Sequence, residues 1–259
     1  MPWVLIAGAG AYGAVVGALL PRAVYRLSVE PEEPWREVCP DGHAYAEQGR
    51  VRAWVGPARC EAERGGYGER AGGDGHAGAH GSGGGALAVT GALVSAGLAA
   101  AVGASPELAV WLLMVPFGLL LSVVDRRVNR LPDVLTLPLA VGAIALLGLA
   151  ALLPGAEGSW ARAWMGGIVL SGAYFVLFVI SPRAVGFGDV KLALALGVAL
   201  GWYGWDVLFA GAFLGFLVGA VYGVALILAR RAGRRTALAF GPFMVLGALA
   251  GVALGGLAA

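Results

Sequence analysis

The stretch LAVWLLMVPFGLLLSVVDRRVNRLPDVLTLPL, residues 108–139, decides the fold. From Leu108 to Val124 it carries no charge. At about 1.5 Å per residue a helix over this run crosses most of the roughly 30 Å hydrocarbon layer of a bilayer. Asp125 ends the run, Arg126, Arg127 and Arg130 follow, and Pro132-Asp133 opens a second apolar run. Two apolar helices joined by a short basic turn form a membrane hairpin, with the turn at the interface.

The same alternation extends in both directions. Apolar spans are expected at about 3–20, 85–103, 108–125, 134–153, 163–180, 190–203, 207–229 and 239–257, the sixth of them short and partly re-entrant. The first, Trp3 to Leu20, has no basic residues before it and reads as a retained span rather than a signal peptide. The whole composition agrees: 259 residues, 59% hydrophobic and 13% charged, with a mean hydropathy of +0.78. A soluble domain of this size carries about 25% charged residues. The expected fold class is all-α, a polytopic membrane protein of about eight transmembrane helices with one cytoplasmic loop region. Its parts are a first helix (1–20), a loop (21–84) that is partly disordered and Gly-rich, and a transmembrane core (85–259). The net charge of +2, with no basic patch, gives no support for a nucleic-acid partner.

Basic residues set the orientation. Seventeen of the 18 Lys and Arg fall in loops that eight alternating spans put on one side, and only Arg162 falls on the other. Positive-inside places those loops in the cytoplasm and both termini outside. One span more or fewer would scatter the charges over both sides. Glycines at Gly211, Gly215, Gly219 and Gly223 form a smooth stripe for close helix packing, and Gly13 with Gly17 and Gly247 with Gly251 read the same way.

Acids are rare after residue 84. Glu107, Glu157 and Asp206 fall in short outer loops, where solvation is explanation enough. Asp125, Asp133 and Asp189 lie near the cytoplasmic ends of spans three, four and six, and ionisable groups at membrane depth are functional candidates. Asp133, after Leu131-Pro132, has the position of a helix cap. Asp125 and Asp189 share a depth and can pair. In such a pair one member keeps a proton, so the charged carboxylate serves as base on a water and the neutral one as acid on a carbonyl. Gly186 and Gly188, in VGFGDVKLALALG, let the backbone bend and let substrate approach Asp189. Structural readings stand beside this: Asp189 as a helix cap, and Asp125 in an ion pair with Arg126 or Lys191.

Several stretches resemble one known family. Asp125 followed by RRVNRLPDVLTLPL resembles its pattern of an Asp, six variable residues, and Pro-Asp or Pro-Asn leading into a Thr-Leu-Pro helix. VGFGDVKLALALG is similar to its Gly-x-Gly-Asp-x-Lys-Leu motif. AFGPFMVLGAL resembles its Phe-Gly-Pro-Phe segment, and YGAVVGALLPRAVYRLSVEP its first span. The family is that of the type IV prepilin leader peptidases, among the Gly-x-Gly-Asp intramembrane aspartyl proteases. The resemblance covers residues 105–250 well and 1–60 loosely. It implies a membrane aspartyl endopeptidase of the cytoplasmic (inner) membrane with Asp125 and Asp189 as catalytic aspartates. The implied substrates are pilin-like precursors, cut at the cytoplasmic face, with Lys191 tuning the pair or binding substrate. Proteolysis of this kind uses no cofactor.

Two departures accompany the resemblance. Many members carry two Cys-x-x-Cys pairs suited to zinc, whereas this chain has only Cys39 and Cys60. Cys39, His43 and Cys60, with His76 or His80, complete no recognisable zinc spacing, and reduced cysteines are the expected state. Many members also methylate the new N-terminus with S-adenosylmethionine, an activity that the resemblance alone implies for this chain. The competing function is a transporter or channel whose aspartates bind a cation or relay protons. It is disfavoured because the acids cluster near one face and no broken helix pair lies at mid-membrane.

Overall fold

The computed structural model describes residues 2–30, 33–40, 42–45, 51–58, 83–182, 185–230 and 238–258. Among these, regular structure is helical: α1 Pro2–Leu19, α2 Pro21–Leu27, α3 Gly83–Val102, α4 Pro106–Val128, α5 Asp133–Ala150, α6 Trp160–Ile180, α7 Phe187–Tyr203, α8 Trp205–Leu228 and α9 Gly241–Ala258. Each of the eight expected spans falls on a helix. Seven are long and apolar enough to cross a membrane. The protein is a multi-pass membrane protein.

The remaining one of the eight, α7, is the shortest of them at 17 residues. It extends about 25 Å and, after Asp189 and Lys191 near its start, is apolar all round. Such a helix has no face to offer water and belongs inside a bundle. Ala193, Ala195, Leu196, Val198, Ala199, Leu200 and Trp202 are all buried, and α5, α6, α8 and α9 pack around them.

Glycines set how close these helices come. A Cβ at Gly166 would lie 2.7 Å from the Gly197 carbonyl oxygen, and one at Gly201 would lie 2.7 Å from that of Arg162, which brings α6 against α7. The stripe of α8 faces α9 as expected: a Cβ at Gly215 would lie 2.9 Å from the Phe243 carbonyl oxygen, and one at Gly247 would strike Gly211. Gly13 and Gly17 likewise lie against the α3 backbone at Gly91 and Leu87. Without a hydrophobic drive between helices in lipid, such close van der Waals contact is what associates them.

The first part of the polar loop folds back on α2. The Arg26 guanidinium sits 3.8 Å over the Trp54 ring and donates to the carbonyls of Ala53 at 2.8 Å and Arg36 at 3.0 Å. Arg22 donates to Pro57 O at 3.0 Å. The sequence reads these arginines as loop charge, but they are buried struts, with their charge satisfied by carbonyls and aromatic faces. Arg130 donates to Glu30 O at 3.1 Å, tying this region to the α4–α5 turn.

Two acids differ from expectation. Asp133 is not a cap: Pro132 holds the N-cap position, and the Asp133 carboxylate pairs with Lys191 Nζ at 2.6 Å. Glu107 is not a solvated loop acid. It lies in the first turn of α4 and is 0% exposed, because Trp202 and the α5–α6 loop close over it.

Candidate active site

Asp125 and Asp189 come to one end of the bundle from two helices and line one open cavity of about 740 Å³. Each lies within electrostatic reach of the other. Both are nearly enclosed, Asp125 at 5% exposure and Asp189 at 7%. Gly186, Gly188 and Lys191 line the same cavity, and so do Trp35, Asn129 and Phe240.

Asp189 is held by its own neighbourhood. Gly186 is the N-cap of α7 in an extended conformation, and Asp189 sits three residues on. The Gly186 N–H donates to Asp189 Oδ2 at 2.8 Å, and the Asp189 N–H donates to Gly186 O at 3.0 Å. This is the acid's half of a capping box, the half available when the N-cap residue has no side chain. Gly188 gives Leu131 room: a Cβ there would lie 2.9 Å from Leu131 Cβ.

Asp125 is held from far along the chain. It lies in the last turn of α4, which ends at Asn129 in the left-handed region, φ 48°. The Gly241 N–H, first in α9, donates to Asp125 Oδ2 at 2.8 Å. A helix N-terminus presents unpaired N–H groups and partial positive charge, a natural seat for a carboxylate. A Cβ at Gly241 would lie 2.9 Å from that same oxygen, so the contact needs glycine.

Of the two structural readings, Asp189 does cap the start of α7, from the third helical position rather than as the N-cap itself, whereas no ion pair of Asp125 with Arg126 or Lys191 is present among the described residues. Among the described residues Lys191 pairs with Asp133 rather than with Asp125 or Asp189, and it also lies 4.8 Å over the Phe187 ring. The site contains groups that sequence reasoning did not single out. Tyr174 is buried against Phe216 and Phe240, which also contact each other, and lies within electrostatic reach of Asp189. Trp35 reaches the cavity from the polar loop. Gly241 stood in a quoted motif, but nothing in its surroundings linked it to Asp125.

The metal candidates come together only in part. Cys39 Sγ lies 3.6 Å from His43 Nδ1. Cys60, His76 and His80 lie outside the described residues, and among those described no group of three His, Cys, Asp or Glu could hold an ion. Two donors are half a tetrahedral zinc set.

Comparison with known proteins shows what the chain resembles. The model of the type IV leader peptidase family matches residues 112–228, a segment that contains both aspartates. A protein of Aeromonas salmonicida named prepilin leader peptidase/N-methyltransferase is 34% identical over 127 residues, 49% of this chain and 42% of its own length. One of the same name from Pseudomonas aeruginosa is 36% identical over 144 residues, 52% and 46% of the two chains. Another from Pectobacterium carotovorum is 29% identical over 265 residues, 95% and 92% of the two. The match thus spans less than half the length of the first two relatives and nearly all of the third. No solved structure matches. The family segment runs from within α4 to the end of α8 and contains both carboxylates of the aspartate cavity, so over that segment the chain is similar to the type IV leader peptidase family.

Proposed function

We propose that this protein is an aspartyl endopeptidase of the cytoplasmic membrane that removes the leader from pilin-like precursors at the cytoplasmic face. One observation carries the reading: two nearly enclosed carboxylates on separate helices open into one cavity at a single end of the bundle. The names of the relatives support the substrate class, and the one-sided basic loops support the cytoplasmic orientation.

The chemistry follows from the carboxylates alone. The ionised member takes a proton from a water as that water attacks the scissile carbonyl. The protonated member hydrogen-bonds the carbonyl oxygen, which carries the developing charge. The base then returns the proton to the leaving amine. Backbone N–H groups of Gly186 and Gly241 hold one oxygen of each carboxylate and leave the other oxygen for water and substrate. A precursor helix lying in the bilayer would present its cut site at the level of the cavity.

The relatives' names also carry an N-methyltransferase activity, which draws its methyl group from S-adenosylmethionine. The described residues contain no strand-to-helix glycine turn of the kind that cradles such a nucleotide.

The test is mass spectrometry of a co-expressed pilin-like precursor's N-terminus. Wild-type protein is expected to give the shortened chain, with an added methyl mass if the second activity is present. Asp125→Asn and Asp189→Asn are each expected to leave the precursor uncut while accumulating normally in the membrane. Full cleavage by either variant overturns the reading. Aspartate-dependent ion flux in vesicles without cleavage would replace it with transport.

A further inference from the structure

The two helices that carry the aspartates do not pack against each other. No backbone contact joins α4 to α7. Between them lies an apolar cavity of about 60 Å³, lined on one side by Trp111, Met114 and Val115 and on the other by Leu192, Leu196 and Ala199. Along their middles the two are related only through side chains and through α5 and α9, which pack against both.

They are joined at the end opposite the aspartates. Glu107 Oε1 accepts from Trp202 Nε1 at 3.2 Å and from the Glu157 N–H at 3.2 Å. One turn on, Trp111 Nε1 donates to the Tyr203 hydroxyl at 3.1 Å. The Ser159 N–H donates to Trp202 O at 3.0 Å, adding the α5–α6 loop to the junction. Glu107 is fully buried, and its Oε2 has no hydrogen-bond partner among the described residues. A buried acid with one oxygen unsatisfied costs stability, and an apolar residue would avoid that cost. What the carboxyl supplies is a bridge that an apolar residue cannot make.

We propose that Glu107 is a positioning residue: by bridging α4 to Trp202 at the far end of α7, it sets the register in which the two helices present Asp125 and Asp189. The inference rests on the reading of that pair as the catalytic one. The lever arms are long, about 27 Å along α4 and about 20 Å along α7 at about 1.5 Å per residue. Helices are stiff over such lengths, so a shift at the bridge reaches the aspartates, where a misplacement of about 1 Å can cost about a hundredfold in rate.

The full-length protein in detergent or proteoliposomes supplies the test, with two readouts. Glu107→Leu is expected to lower kcat for precursor cleavage about tenfold or more while leaving KM within about twofold. Glu107→Gln keeps a carbonyl oxygen for both donors and is expected to restore kcat. In parallel, hydrogen exchange should rise in Glu107→Leu at residues 121–128 and 187–192, the aspartate ends, and stay unchanged in α3. Exchange confined to the neighbourhood of residues 107 and 202, or an unchanged kcat, overturns the proposal. So does a Gln variant as impaired as Leu. If Glu107→Leu fails to accumulate, Trp202→Phe removes the indole donor and is judged by the same two readouts. If the wild type cuts no precursor, the functional reading fails while the exchange measurement still decides the bridge.

Discussion

The two aspartates of the cavity are chemically alike and are held in opposite ways. The group donating to Asp189 is three residues away, in the turn that starts its own helix. The group donating to Asp125 is 116 residues away, in the helix that ends the bundle. Each bond is 2.8 Å long and runs from a backbone N–H at a helix start to one carboxylate oxygen. A local clasp forms whenever its helix forms. A remote one exists only when α4 and α9 have assembled. Half of the site is therefore a property of a short sequence and half a property of the whole fold.

The largest effect should come from disturbing the remote clasp. Gly241→Ala places a Cβ 2.9 Å from Asp125 Oδ2 and close to Leu131 Cδ2, at 3.4 Å. The carboxylate must turn away or α9 must retreat, and either loses the hydrogen bond. Cleavage of a pilin-like precursor should fall about ten- to a hundredfold, in kcat more than in KM. Membrane abundance should change little, because α9 keeps the rest of its packing. A Gly241→Ala protein that cuts at the wild-type rate would show that the remote clasp is dispensable.

This contrast also explains what could be read from the chain. The spans were legible because length and hydropathy are local properties: the run drawn at 108–125 became Pro106–Val128 and that at 190–203 became Phe187–Tyr203. Asp189 was legible because Gly-x-Gly-Asp is a local device. Asp125 was legible as a charge at the end of an apolar run, but its partner was not, since no periodicity ties residue 125 to residue 241. Glu107 shows the failure most plainly. In GASPELAV, a Ser-Pro-Glu helix start between two spans has the appearance of a solvated turn. Its burial depends on Trp202 and the Glu157 N–H, which only the folded bundle brings over it. Asp133 looked like a cap because it follows a Pro, but Lys191 reaches it across the cavity from the start of α7.

That Lys191–Asp133 pair gives a smaller test of how self-sufficient the local clasp is. It ties the first turn of α7 to the first turn of α5, beside Asp189. Asp133 is 60% exposed and Lys191 is 20% exposed, so water screens the pair and its contribution is at most about 1 kcal/mol. Lys191→Met keeps the aliphatic stem over Phe187 and removes the charge. Cleavage should fall no more than about threefold, a loss of under about 1 kcal/mol. A larger loss would mean that Asp189 needs an external brace after all, and Asp133→Asn should then reproduce it.

The smallest effect is expected at Gly186, the counterpart of Gly241. Its φ of −80° and ψ of 156° are open to any residue. A Cβ there would meet Asp189 Oδ2 at 3.6 Å, an ordinary contact, and the donating N–H would remain. Two weak effects oppose each other in Gly186→Ala. Alanine is a poorer N-cap than glycine, which costs up to about 1 kcal/mol, while a less flexible unfolded chain returns about 0.4–1 kcal/mol. Stability and cleavage should both stay within about twofold of wild type, measured beside Gly241→Ala on the same precursor. If the two alanines are equally damaging, each clasp needs its glycine for the approach of substrate rather than for the seat of the carboxylate. The distinction between local and remote holding would then describe the fold but not the chemistry.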